Sequence, residues 1–353
     1  MPLNAGYPNP QSMHEAILEA YGLKAGHYRP EPLGPGLIHR TWVLLNGFNE
    51  PAFVLQQLNT QVFRNPGDIA QNLQVLERFR QHHHPDYLLP VPLTTRTGEA
   101  MAVVDGHYFR LTSFVQGAKA YDRCADAEQA YQAAKQFGQF TAVFDGINMD
   151  MLRLTLPGFH GLSYRWTQFG EALLSGNRER ISQADNLVGK ARYYERIVAQ
   201  YEQLRRDAAF RRRVTHHDTK ISNVLFNERG EGICVIDLDT VMPGYFISDV
   251  GDMMRTYLSP ANEEEKDLTR IGVRPELYKA IREGYLELLG NQLTETERSQ
   301  FFYAGEFMIY MQALRFLTDF ILGDVYYGRA YDNHNLVRAA NQFALLEAYQ
   351  SLR

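Results

Sequence analysis

Two β-type runs, residues 39–45 (HRTWVLL) and 52–58 (AFVLQQL), open the patterned part of the chain and are joined by NGFNEP. The Asn46-Gly47 pair in that connection is a hairpin signal, although the loop exceeds a two-residue turn. From residue 68 to 84 the period changes. Ile69, Leu73, Leu76 and Phe79 recur at helical spacing, and Pro85 and Pro90 close the segment. Short strands are expected at 91–95, 100–104 and 108–115, after which Gln116-Gly117 breaks the pattern. Helices are expected at 125–144 and 193–208, while 152–186 is polar, mixed and without a clear period. Strands return at 224–227 and 233–237 around the turn NERGEG, and from 263 onward the pattern is helical. The run 301–322 is the most apolar, but Glu306, Arg315 and Asp319 interrupt it, so a buried helix is expected rather than a membrane span. The pattern divides the chain at a hinge near 115–118 into a mostly β region, 1–117, and a mostly helical one, 118–353.

Composition adds constraints. The 353 residues, 45% hydrophobic and 22% charged, suit a globular protein of about two domains at roughly 150 residues each. Thirty-six basic residues against 41 acidic ones leave a net charge of −5. That argues against broad nucleic-acid binding, which relies on a basic surface, but not against one local nucleotide site. Cys124 and Cys234 lie far apart and form no CxxC, so neither a disulfide framework nor a cysteine zinc site is expected. The N-terminus lacks the basic start and apolar core of a signal peptide. The expectation is a cytoplasmic protein with no membrane association and no obligatory protein partner.

The chemistry concentrates in THHDTKISNVLFNERGEGICVIDLD, residues 215–239. His216-x-Asp218-x-x-x-x-Asn223 is followed by Asp237 at the end of an apolar strand. An Asp and an Asn at that spacing on a loop can divide two tasks. The carboxylate accepts the proton of an attacking hydroxyl, and the amide oxygen ligates a metal. A carboxylate leaving a neighbouring strand adds a second hard oxygen, and such donors suit Mg²⁺. His216 reads as structural, because Asp218 already supplies a base. Gly34-x-Gly36 precedes a strand, where glycines let backbone approach phosphates, but the third glycine of a GxGxxG is replaced by His39. The absence of GxxxxGK[ST] excludes a Walker-type site. On the strand 52–58, alternation puts Gln56 on the phosphate side, and Gln116 at the hinge is a further cofactor candidate. In the C-terminal helix Gln312, Arg315 and Asp319 share a face, where an Arg315–Asp319 ion pair is the plain structural reading. The run Arg211-Arg212-Arg213 reads as a solvated helix end.

These motifs resemble the kinase-like phosphotransferases: protein kinases, choline kinases and aminoglycoside phosphotransferases. THHDTKISNVLF, CVIDLDTVMPG, DVGDMMR, FVLQQLNTQVFRNP, ALRFLTDFILGDVYY and YDNHNLVRAANQ are similar to segments of bacterial N-acetylhexosamine 1-kinases, over about residues 34–342. The resemblance implies a bilobal, protein-kinase-like α+β fold, with a small β-rich N-terminal lobe that binds nucleotide and a larger, mainly helical catalytic lobe. It implies ATP and Mg²⁺ as cofactors, Asp218 as the base, Asn223 and Asp237 as metal ligands, and Asp239 as a further ligand or organiser. Lys220 would meet the γ-phosphate, and Thr240, Arg315 and Tyr326, with Asp319 beside them, would contact a sugar. Two departures stand out: His217 occupies the usual Asn position, and Gln56 the usual strand lysine, although these sugar kinases also carry glutamine there. The expected activity is phosphorylation of the anomeric hydroxyl of an N-acetylhexosamine. The alternatives are an aminoglycoside, a choline-like alcohol or another sugar as acceptor, or a nucleotide-binding pseudokinase.

Overall fold

In the computed structural model, residues 10–34 and 38–353 are described. They form two compact units, one ending at Ala118 and including Asp150–Thr155, the other comprising Lys119–Met149 and Leu156–Arg353.

The first unit holds α1 (Pro10–Ala20), β1 (Arg29–Pro32), β2 (Arg40–Leu45), β3 (Pro51–Gln57), α2 (Pro66–His83), β4 (Ala102–Val104) and β5 (His107–Ser113). The strands make one antiparallel sheet in the order β1-β2-β3-β5-β4. Strand alternation sends Leu44, Leu55, Phe109 and Leu111 to one face, where they pack with Ile17 and Leu18 of α1. The β2–β3 connection turns at Asn46, whose side-chain oxygen accepts the N–H groups of Phe48 and Glu50. The strand expected at 91–95 is reduced to a bridge between Pro92 and Thr112. Pro90 and Pro92 lack the N–H groups a ladder needs, and only Leu93 bonds across, to the Leu111 carbonyl at 2.7 Å. Asn72 of α2 holds the returning segment by bonds to both the N–H and the carbonyl of Arg153.

The second unit contains α3 (Ala127–Val143), α4 (Leu162–Ser175), α5 (Arg178–Gln183), α6 (Asp185–Tyr193) and α7 (Arg196–Arg206). Four short strands follow: β6 (Arg213–Thr215), β7 (Val224–Phe226), β8 (Gly232–Val235) and β9 (Met242–Gly244). The chain ends in α8 (Phe246–Tyr257), α9 (Pro275–Leu289), α10 (Glu295–Ser299), α11 (Phe301–Leu322) and α12 (His334–Gln350). The stretch without a clear period thus resolves into α4 to α6. The apolar run becomes α11, which packs against α4, α8 and α12. Its buried tyrosines keep their hydroxyls satisfied, Tyr303 donating to the Ile197 carbonyl and Tyr310 to that of Ala191, both at 2.7 Å. Among the described residues no helix is long and apolar enough to cross a membrane.

The basic run at 211–213 does not end a helix. Arg213 opens β6 and is buried, bonded to both oxygens of Glu297, to Asp145 and to the Gln292 carbonyl, while Arg211 and Arg212 stay exposed. β6 pairs with β9, and β7 with β8, both antiparallel. These two small ladders hold the segment rich in candidate chemistry between them.

Candidate active site

The loop between β6 and β7 is held by its backbone. The buried Asp249 carboxylate of α8 accepts the N–H of His216 at 2.9 Å and of His217 at 2.8 Å, and Asp252, one turn on, accepts that of Thr219 at 2.9 Å. Burial pushes Asp249 up to about 7, against the pull of those two N–H donors. Arg255 holds Asp252 from the other side and is itself tied to Glu263. Tyr257 donates its hydroxyl to the Thr219 carbonyl at 2.6 Å. None of these groups is near the loop in sequence.

This frame presents Asp218, Lys220 and Asn223 together. Asn223 Nδ2 donates to the Asp218 carbonyl at 2.8 Å and to its Oδ2 at 3.0 Å, and Lys220 Nζ lies 3.1 Å from the same Oδ2. Burial works to lower the Lys220 ammonium's pKa. The Asp218 carboxylate outweighs it, helped by Asp252 and Asp237, and the net direction is upward, so Lys220 is charged at neutral pH. The Ile236 N–H bonds the Asn223 carbonyl at 2.9 Å, which brings the end of β8, and Asp237 after it, to the loop. Asp237 takes a left-handed φ of 62°. Asp239 is buried.

His216 is structural in its contacts. Its Nδ1 accepts the Asp218 N–H at 3.3 Å, which leaves Nε2 to donate to the Ile236 carbonyl at 2.9 Å, and its ring lies against Phe137 and Phe140. His217, at φ 66°, turns its ring to the Thr215 hydroxyl and to His160, 5.2 Å away between centroids. Burial holds His217 down at about 4, so it is neutral. Gly244 makes room for it: a Cβ there would stand 2.4 Å from His217 Nε2 and 2.3 Å from Thr215 Oγ1.

The acceptor candidates separate. The Thr240 hydroxyl is buried and donates to the His216 carbonyl at 2.6 Å, so it braces the loop. Asp319 does not pair with Arg315. Its oxygens accept the Tyr326 and Tyr327 N–H groups at 2.7 and 2.9 Å and the Asn335 amide at 3.1 Å, which shapes the turn after α11. Arg315 donates to Gln312 at 3.0 Å and lies over the rings of Phe159, Tyr326 and Tyr327. It lines a cavity of about 100 Å³ with Arg165, Gln168, Thr318 and Asp319. Arg165 was hidden in the stretch with no readable period, and only its i,i+3 relation to Gln168 could have singled it out.

In the first unit Gln56 pairs in register with Arg110 of β5, whose buried guanidinium donates to the Gln56 oxygen at 2.9 Å. Glu77 of α2 is bonded to Arg80 and Gln81. Gln116 donates to the Pro51 carbonyl, at the start of β3. Gly34 has a φ of 68°, and Gly36 lies outside the described residues.

A profile of the phosphotransferase enzyme family matches residues 30–298, from β1 through the loop and beyond α9. The chain belongs to this family. As a member it is an ATP-dependent small-molecule phosphotransferase acting on an alcohol group. Solved structures similar to this phosphotransferase include an aminoglycoside phosphotransferase from Alicyclobacillus acidocaldarius, 15% identical over 99% of this chain and 97% of that one, with a TM-score of 0.63. A microcompartment-associated aminopropanol kinase is 19% identical over 96% and 97%, with a TM-score of 0.61. A spectinomycin phosphotransferase solved with ADP and spectinomycin is 12% identical over 96% and 98%, with a TM-score of 0.60. At these identities the likeness establishes the shared fold, the bilobal kinase-like α+β arrangement.

Proposed function

We infer that this phosphotransferase moves the γ-phosphoryl group of ATP to the anomeric hydroxyl of an N-acetylhexosamine such as GlcNAc or GalNAc. The observation that carries the reading is the Asp218 carboxylate, held by Asn223 and accompanied by the Lys220 ammonium on a loop whose backbone is fixed by Asp249 and Asp252. Asp218 takes the hydroxyl proton as the acceptor oxygen attacks the γ-phosphorus and ADP leaves. Lys220 offsets charge on the moving phosphoryl group.

The donor set suits Mg²⁺. Asn223 directs its amide nitrogen at Asp218, which leaves its oxygen for a cation, and Asp237 and Asp239 add carboxylates. Held by Asn223, Asp237 and Asp239, a Mg²⁺ ion would offset the negative charge of the phosphates. On the nucleotide side, Gln56, backed by Arg110, takes the place of the strand lysine, with Gly34 and Gln116 as the further candidates for nucleotide contact. At the acceptor, Arg315 disfavours a polycationic aminoglycoside and can donate to sugar hydroxyls or an acetamide oxygen, with Tyr326 beside it.

The test is a coupled ADP-release assay over free hexosamines, their 1-O-methyl glycosides and kanamycin-type aminoglycosides, with and without Mg²⁺. Turnover of free hexosamines only is expected, falling about 10²- to 10⁴-fold in Asp218→Asn. Activity on a 1-O-methyl glycoside would remove the anomeric assignment, and a preference for aminoglycosides would remove the sugar.

A further inference from the structure

The buried and half-buried arginines of the second unit are compensated in a regular way. Arg213 meets Glu297 and Asp145, Arg255 meets Asp252 and Glu263, Arg180 meets Asp324, and Arg338 meets Glu263. Arg274 gives its donors to the backbone carbonyls of Cys124, Ala125, Tyr257 and Leu258. Two arginines break the rule, and they line the same cavity.

Arg165 bonds the Gln168 side-chain oxygen at 2.9 Å and, at 3.4 Å, the Phe159 carbonyl. Its Nε is buried and has no hydrogen-bond partner among the described residues. Among the described residues Arg315 bonds only the Gln312 oxygen and otherwise lies over aromatic faces. Neither guanidinium has a carboxylate within ion-pair distance among the described residues. Asp319 lines the cavity too, but both of its oxygens are engaged by the Tyr326–Tyr327 backbone and Asn335. The Thr318 hydroxyl, also on the wall, is a second buried polar group without a partner among the described residues. Burial, and then the charge of Arg315, both press the Arg165 pKa downward.

Two like charges side by side with unused donors are unfavourable unless an anion joins them. A relay of side-chain contacts runs from the two arginines to the catalytic loop. Phe159, touched by both arginines, stacks on His160 at 4.4 Å, and His160 meets the His217 ring. We propose that Arg165, Arg315 and Thr318 form a seat for an anionic substituent of the acceptor, so that the preferred sugar carries a carboxylate, sulfate or phosphate ester away from its anomeric carbon. This rests on the sugar-kinase reading and narrows its substrate class.

The experiment compares GlcNAc, GlcNAc 6-sulfate, GlcNAc 6-phosphate and galacturonate in the ADP-release assay, with titration calorimetry of each sugar alongside. The wild type should favour at least one anionic sugar over GlcNAc by about 10-fold or more in kcat/KM, as one charge-assisted contact allows. The four arms distinguish carboxylate, sulfate and phosphate. Arg165→Gln should bring the ratio of anionic to neutral substrate toward one, mainly through KM, and Arg165→Lys should restore part of it. Wild-type turnover of GlcNAc with equal or weaker use of every anionic sugar would overturn the proposal while leaving the sugar-kinase reading intact. Tight calorimetric binding of an anionic sugar that depends on Arg165, with no turnover of any sugar, would keep the seat and overturn the kinase reading.

Discussion

Arg213→Met tests whether the loop's foundation is a buried charge pair. Arg213 and Glu297 have side chains 2% and 0% exposed, and two bonds of 2.9 Å join them. Removing the guanidinium leaves Glu297 charged, buried and without its partner, which typically costs about 3–5 kcal/mol. That is a large part of the roughly 5–15 kcal/mol that holds a domain folded. Asp145, with a side chain 43% exposed, is resolvated and adds little. Glu297 has a second task. It accepts the Thr294 N–H at 2.8 Å and completes the capping box of α10, so its replacement must keep an oxygen. Glu297→Gln does so. The double variant Arg213→Met/Glu297→Gln should therefore recover about 1–3 kcal/mol of the single variant's loss, because no buried charge is left alone. Urea unfolding followed by far-UV circular dichroism, with the m-value checked for one cooperative transition, measures all four species. The deficit of Arg213→Met should persist in 1 M salt, since a buried pair is weakly screened. A loss under about 1 kcal/mol in Arg213→Met, or a double variant as unstable as the sum of the singles, refutes the reasoning.

Lys220→Met should lower kcat more than it raises the KM for ATP, because the ammonium beside Asp218 acts on charge that develops during transfer; near-normal kinetics would make Lys220 a solvated lysine. Gly244→Ala drives a methyl group against Thr215 and His217 and should cost about 1–3 kcal/mol, read as a lowered thermal midpoint, while unchanged stability would show that the His217 ring has room to move. His217 is held at about 4, below the roughly 6.5 of an exposed histidine, so the unfolded chain binds its proton first as pH falls. Stability should therefore drop between about pH 6.5 and 4, by up to roughly 1.4 kcal/mol per pH unit from this group. His217→Asn, which also suits the positive φ, should show a shallower drop from pH 7.5 to 5, and parallel curves would sink the assignment.

What the sequence determines by itself is local. The 3.6-residue period of 68–84 is realised as α2, the apolar run as α11, and the turn NERGEG as the connection of β7 to β8. Asp218, Lys220 and Asn223 are close in the chain, so their spacing alone places them on one loop. The tertiary structure decides what depends on distant partners. Asp249 and Asp252 stand more than a dozen residues beyond the loop they hold, and only the packing of α8 makes them its acceptors. Arg213 reads as a surface charge until strand pairing carries it inward to Glu297. Asp319 has the spacing of an ion pair with Arg315, yet the turn after α11 supplies two backbone N–H donors, and Asn335 of α12 an amide donor, that take its oxygens first. Val91–Thr95 has strand composition, but Pro92 within it and Pro90 just before it leave too few donors for a ladder. Arg165 lies in α4, and its nearness to Arg315 arises from α4 packing on α11. Periodicity reports which face of an element is apolar; it carries no record of which polar groups meet once those faces are buried.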